Sequence, residues 1–251
     1  NSDNCAAGGF TLDYGPFGFM DMFDPKYQPW TGGGVHFSFL NQPSAAERNF
    51  YMFVTALKPL LVANQDAQNA LDKIRDNFTQ VMQKALEKMW ASKLGLETFD
   101  VELFKELYLL MVETSVDYTI FFRELSGVPQ ETTPLVNSFY NKSSSDEKLL
   151  KRWSAWLKKW NTQINATTPK SRQALSKQMK MLNPKYTLRE WILVPAYEQA
   201  QRGEYTLINE LQEVMSNPYA ELSSEIEKKY YREKPSEYFR VGGISHISCS
   251  S

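Results

Sequence analysis

The chain has 251 residues, a formal net charge of -1, and 42% hydrophobic residues. That length and apolar content support a substantial core, while the near-neutral charge excludes a generally basic nucleic-acid binder. No apolar run approaches the roughly 18–20 residues that cross a bilayer, and two cysteines, Cys5 and Cys249, cannot form a disulfide framework.

The chain opens on "NSDNCAAGGFTLDYGPFGFMD", a polar, glycine-rich stretch that is costly to order. It has no initiator Met and no visible leader, and it begins inside a motif, so any targeting segment would lie outside it. From residue 44 the text turns helical. "NQPSAAERNFYMFVTALKPLL" suggests a capping box, with Ser44 three residues before Glu47. Apolar periodicity then predicts one helix from about Asp66 to Leu94, stopped by Gly95, and a central buried helix over "FDVELFKELYLLMVETSVDYTIFFREL".

In "SSSDEKLLKRWSAWLKKWNTQI", Trp153, Trp156 and Trp160 share a stripe with Leu149, Leu150 and Leu157. A stacking platform for bases is conceivable, but a core face with a solvated basic back is the ordinary meaning of such a stripe. Two further helices are predicted over "YTLREWILVPAYEQAQRG", with an internal Pro and a Gly stop, and over "YTLINELQEVMSNPY". The stretches near 128–145 and 233–248 read as polar mobile loops. No alternating strand and no repeat is visible. The expectation is a mainly α fold, with strand pairing confined to the neighbourhood of residues 9–13.

The opening segment carries the chemistry. Asp3 and Asn4 are adjacent; a hairpin-like crossing through Gly8-Gly9 leads to Asp13-Tyr14-Gly15. An Asp-Asn pair followed by Asp-aromatic-Gly is the layout of a kinase-type site, in which one Asp accepts the proton of the attacking hydroxyl. The Asn amide oxygen and the second Asp then hold a divalent metal on the phosphates of ATP. Hard oxygen donors suit Mg²⁺ or Mn²⁺. The same spacing also arises in an Asx-rich turn. His36 and His246 are isolated and do not make a metal site, though His246 could act on Cys249. Asp21 and Asp24 are either turn residues before Pro25 or a supporting shell for the metal.

"DYGPFGF" with its upstream Asp-Asn pair, "FSFLNQP" (37–43), "KLGL" (93–96), "DYTIFFREL" (117–125), "NPKYTLREW" (183–191), "NPY" (217–219) and the terminal "SCSS" occur in one characteristic order. In that order the sequence resembles the C-terminal half of the selenoprotein O family, SelO-type protein adenylyltransferases described as pseudokinases. The resemblance implies a kinase-like C-lobe: catalytic and metal-binding loops in 1–24, a helical body over 44–230 and a mobile tail over 231–251. It implies transfer of AMP from ATP to Ser, Thr or Tyr hydroxyls of proteins, with pyrophosphate released. Asp3 then matches the catalytic base, Asn4 and Asp13 the metal ligands on the nucleotide, and Cys249 the family's selenocysteine or cysteine position.

The family's N-lobe, with its phosphate-gripping Lys and Gly-rich loop, would lie upstream of residue 1, so this chain alone is expected to be inactive. The redox partner that many bacterial members carry is replaced here by Gln28-Pro29-Trp30, leaving Cys5 as the other thiol. Implied partners are ATP and protein substrates, with no nucleic acid and no membrane; the implied compartment is mitochondrial in a eukaryote and cytoplasmic in a bacterium. A γ-phosphotransferase, and a non-catalytic helical interaction or redox module, remain open alternatives.

Overall fold

A computed structural model describes residues 19–28, 34–140 and 147–240. Among them the chain is mainly helical and divides into two compact units, a smaller one within Pro25–Glu87 and a larger one within Gly18–Asp24 and Lys88–Ile244.

In the smaller unit α1 spans Gln42–Leu57, a 3-10 turn covers Lys58–Leu61, and α2 spans Gln65–Asp76. The capping box expected at Ser44 does not form. Helix α1 begins two residues earlier, with Pro43 in its first turn, where a missing N–H costs nothing. The Asn41 side chain at its N-cap donates instead to the carbonyls of Val35 and His36. Asn64 caps α2 by accepting the Ala67 N–H at 3.0 Å. Phe50 stacks on Phe78 at 4.9 Å, and Asp72 accepts from both Lys58 and Arg75. The single helix expected from Asp66 to Leu94 is broken at Asn77, so that α3 is Phe78–Lys93. Asn77 keeps near-helical angles, so the break amounts to one residue.

The larger unit takes the end of α3 as its start. Gly95, at φ +68°, stops that helix as its position predicts. Helix α4, Val101–Thr114, is capped by Asp100, which accepts from the N–H groups of Glu102 and Leu103. The predicted continuous central helix is interrupted here. Ser115 turns left-handed at φ 54°, Val116 and Asp117 run extended, and Asp117 then caps α5, Tyr118–Leu125. The interruption is favourable because an Asp carboxylate satisfies the orphan Ile120 N–H at 3.0 Å.

The stretch from 128 is not a free loop. Helix α6 (Thr133–Val136) follows, and Leu135, Ser138 and Phe139 are completely buried. The remainder of that expected loop, at 141–145, falls outside the described residues.

Helix α7 (Glu147–Gln163) packs on α4. Its tryptophan stripe is core: Trp153, Trp156 and Trp160 are at most 1% exposed. Each indole N–H is satisfied, by Thr114 Oγ1, the Leu103 carbonyl and the Leu94 carbonyl. No face is left to stack a base. Helix α8 (Pro169–Lys180) is an addition to the predicted elements; Thr168 and Ser171 form a reciprocal capping box with Pro at its first turn. Helices α9 (Glu190–Gln201, with Pro195 inside) and α10 (Thr206–Ser216) stand where expected; α11 (Ser224–Tyr230) is an addition. A 3-10 turn at Ser236–Arg240 orders part of the expected C-terminal loop.

Extended pairing among the described residues consists of two isolated bridges, Met22↔Asp117 and Val116↔Phe139. These are single bridges rather than strands; the short pairing expected near residues 9–13 falls outside the described residues.

Candidate functional site

Asp3, Asn4, Asp13, Cys5, His246 and Cys249 all fall outside the described residues. Among the described residues no cluster of three or more His, Cys, Asp or Glu side chains could hold a metal ion. What the structure does describe is the stretch that follows Asp-Tyr-Gly, from Phe19 to Asp24, and how it is held.

That stretch is pinned to the interruption between α4 and α5. Phe23 N–H donates to the Val116 carbonyl at 2.8 Å, and Tyr118 N–H donates to the Asp21 carbonyl at 2.9 Å. Met20 and Phe23 are buried, with the Phe23 ring stacked on Tyr118 and edge-on to Tyr108. Backbone pairing sets the register, and the aromatic contact removes Phe23 from water.

Arg189 completes the attachment. It precedes α9 and is 1% exposed. Its guanidinium grips Asp117 in two-pronged fashion, Nη1 to Oδ2 at 2.5 Å and Nη2 to Oδ1 at 2.9 Å, and Nη1 also donates to Asp21 Oδ1 at 3.0 Å. Tyr140 Oη donates to Asp117 Oδ2 at 3.1 Å and accepts the Lys234 N–H at 3.1 Å. Five separated stretches of chain are thus joined in one network: Asp21 and Asp117 on the buried guanidinium, Tyr140 on Asp117, and Lys234 on Tyr140.

The charge balance has consequences. Two carboxylates face one guanidinium in a dry setting. Burial raises the Asp21 pKa above the ordinary carboxylate value, Arg189 opposes it, and the Asp117 charge adds to the rise. For Arg189 burial works downward, but the charge and hydrogen bonds of Asp117, with Asp21, outweigh it and hold the pKa above normal. Burial, then the Asp117 and Asp21 charges, keeps the Tyr140 phenol protonated well past its usual range. The hydroxyl is therefore a permanent donor. Asp21 is an ion-pair member rather than a turn residue; Asp24 is exposed.

A second buried cation, Arg123, ties together four of the sequence motifs. Arg123 donates from Nη1 to the carbonyls of Lys180 and Asn183, and from Nη2 to the Tyr219 carbonyl and Glu221 Oε1. Asn183 Nδ2 donates to the Lys93 carbonyl and Ser126 Oγ, and Lys93 Nζ returns a bond to Asn183 Oδ1 at 2.7 Å. "KLGL", "DYTIFFREL", "NPKYTLREW" and "NPY" therefore converge in space. In the sequence these strings do not by themselves single out Asp117, Arg123 or Arg189. The available signal was a charge inside an otherwise apolar run, as in Phe121-Phe122-Arg123.

Beside Tyr140 a cleft of about 670 Å³ opens, lined by Glu124, Glu227, Tyr231, Arg232, Lys234 and Phe239 among others. Tyr231 Oη donates to Glu124 Oε1 at 2.8 Å, and burial holds the Glu124 carboxyl above its usual pKa.

Comparison with known proteins bears on what this scaffold serves. A protein nucleotidyltransferase YdiU of Aromatoleum aromaticum is 34% identical over 261 residues, covering all of this chain and 48% of the relative. The proteins of the same name from Flavobacterium johnsoniae and Photobacterium profundum are 30% and 34% identical, again over the whole chain and 49% of each relative. The chain thus spans about half the length of the curated relatives it matches. The family model described as protein adenylyltransferase SelO matches residues 1–216, from the Asp-Asn pair through α10. By that match the chain belongs to the SelO family of protein adenylyltransferases.

Proposed function

We propose that this chain is the C-terminal, kinase-like lobe of an enzyme that transfers AMP from ATP to Ser, Thr or Tyr hydroxyls of proteins and releases pyrophosphate. The observation that carries the reading is the family match over residues 1–216, which takes in both the Asp-Asn pair and Asp-Tyr-Gly. Asp3 acts as the base that accepts the proton of the attacking hydroxyl. Asn4 and Asp13 supply the oxygen donors for Mg²⁺ or Mn²⁺, an acid-amide pair suited to a hard cation that keeps several waters. The bound metal supplies neutralisation of phosphate charge. The relatives named above come from bacteria, which supports a cytoplasmic enzyme and lends nothing to a mitochondrial one. No helix among the described residues is long and apolar enough to cross a membrane.

The test is transfer by the full-length protein from ATP labelled at the α- or the γ-phosphate to a protein acceptor. Label from the α-position alone is the expected result, abolished by Asp13→Ala. Asp3→Ala slows transfer by about 10²–10⁴-fold and leaves nucleotide binding intact. Label from the γ-position alone makes the protein a kinase, and no transfer at all favours an interaction module.

A further inference from the structure

We propose that Tyr140 and Arg189 are positioning residues that seat the segment following Asp-Tyr-Gly, and that the chain at 231–239 forms the last wall of that seat. The catalytic consequence rests on the proposed role of Asp13, eight residues before Asp21; the mechanical coupling rests on geometry alone.

Asp21 is anchored on two sides. Its carbonyl accepts from Tyr118, and its carboxylate is held by Arg189. Arg189 in turn owes its direction to Asp117, which uses both oxygens on the guanidinium and has Tyr140 on Oδ2. A buried two-pronged ion pair has little freedom once its remaining lone pairs are satisfied, so the orientation of Asp117 fixes where Arg189 points. Tyr140 touches both this pair and the C-terminal stretch.

The C-terminal stretch touches the seat at Tyr140 and at Trp191. Lys234 N–H donates to Tyr140 Oη, and the Phe239 ring lies edge-on to Tyr140 at 5.7 Å. Arg232 lies over Trp191 at 5.1 Å, and Tyr238 packs on the same indole at 6.1 Å. Trp191 follows Arg189 by two residues in the first turn of α9. The same stretch therefore braces Tyr140 on one side and the root of Arg189 on the other. Releasing it frees Tyr140 to leave Asp117 and loosens the hold on Asp21. Such coupling is reciprocal, because each attachment stabilises the state that the other requires.

Amide hydrogen exchange on the chain reads this directly. Phe23 and Tyr118 N–H report the seat, Lys234 N–H reports the C-terminal stretch, and Leu96 N–H, bonded to the Ala91 carbonyl, is the internal control. Tyr140→Phe keeps the ring and removes the hydroxyl. It is expected to accelerate exchange at Lys234, Phe23 and Tyr118 about tenfold, the size of one lost hydrogen bond, and to leave Leu96 unchanged. Phe239→Ala, which contacts neither Asp21 nor residues 116–118, is expected to give the same pattern. Arg189→Lys keeps the charge, loses the two-pronged grip and accelerates Phe23 and Tyr118 likewise.

Unchanged exchange at Phe23 and Tyr118 in both Tyr140→Phe and Phe239→Ala overturns the coupling, as does an equal rise at Leu96. In full-length protein, Tyr140→Phe should raise the Mg²⁺ concentration needed for half-maximal AMP transfer while leaving the KM for the protein acceptor unchanged. An unchanged Mg²⁺ requirement overturns the positioning role but not the AMP-transfer reading, which is judged separately by the α-label in the unmodified protein.

Discussion

Lys93 ends in an ammonium that lies over the Phe122 ring at 4.2 Å and the Tyr118 ring at 5.2 Å, and its hydrogen bond goes to an amide oxygen, Asn183 Oδ1. Cation–π contact and one amide offset only part of the lost hydration. Burial brings its pKa down from 10.5 to about 7. Between those values the unfolded chain holds the proton that the folded side chain releases, so stability contributed at this site rises with pH. Lys93→Met removes that dependence. Thermal unfolding at pH 7 and pH 9 should show the unmodified protein gaining about 1–2 kcal/mol relative to the variant over that step. Equal changes in both would contradict a lowered pKa at this half-buried ammonium.

Glu221 behaves in the opposite sense. Burial works against its ionisation, but hydrogen bonds from Lys185, Arg123 and Lys180 hold its carboxyl down from 4.5 to about 2. A lowered carboxylate pKa contributes stability above the unfolded value and loses it as the pH falls toward the folded one. Glu221 is half exposed, so screening trims the effect; its partners Arg123 and Lys185 are buried. Glu221→Gln should cost about 1 kcal/mol at pH 7, with the difference closing between pH 4.5 and pH 2 in acid titrations followed by circular dichroism.

Helix ends show how local rules and packing divide the work. Gly95 and Gly203 both close helices with positive φ, +68° and +82°, yet their surroundings differ. A Cβ on Gly203 meets nothing within 4 Å, whereas one on Gly95 would stand 2.6 Å from Met179 Sδ, in a side chain that is itself fully buried. Gly203→Ala should therefore cost about 1–2 kcal/mol, the left-handed penalty alone. Gly95→Ala should cost more, because Met179 must also move, and urea unfolding of the two variants side by side checks the order. Both stops were legible as Gly at the end of a periodic run. The interruptions at Asn77 and Ser115 were not, since neither residue is a strong breaker and the apolar period continues across each. At Ser115 the chain leaves the helix because Val116 and Asp117 gain partners in Met22, Phe23 and Phe139, contacts that a local window does not contain.

At the scale of the molecule, buried apolar side chains are concentrated in the larger unit, where α4, α5 and α7 enclose three tryptophans and Phe121, Phe122 and Phe139. In the smaller unit Tyr51, Met52, Leu60, Val62, Ile74 and Val81 stay exposed, and Ala45 and Val54 are its buried apolar positions among the described residues. Opening free energy follows burial. Amides of α1 and α2 should therefore exchange at least about 100-fold faster than those of α4 and α7 under native conditions. Comparable protection in both units would show that the smaller one is held by something other than its own core.

The helical class, the core role of the tryptophan stripe and the family were decided by the chain itself. Periodicity and short motifs are local properties, and a stripe of Trp153, Trp156, Leu157 and Trp160 has one cheap place to go. The assembly around Arg189 belongs to the tertiary structure. Asp21 lies 168 residues from Arg189 and Asp117 lies 72 from it, and nothing local marks them as partners. A buried charge is tolerable only where the fold delivers opposite charge and hydrogen-bond donors from elsewhere in the chain, so its role becomes visible when those stretches meet.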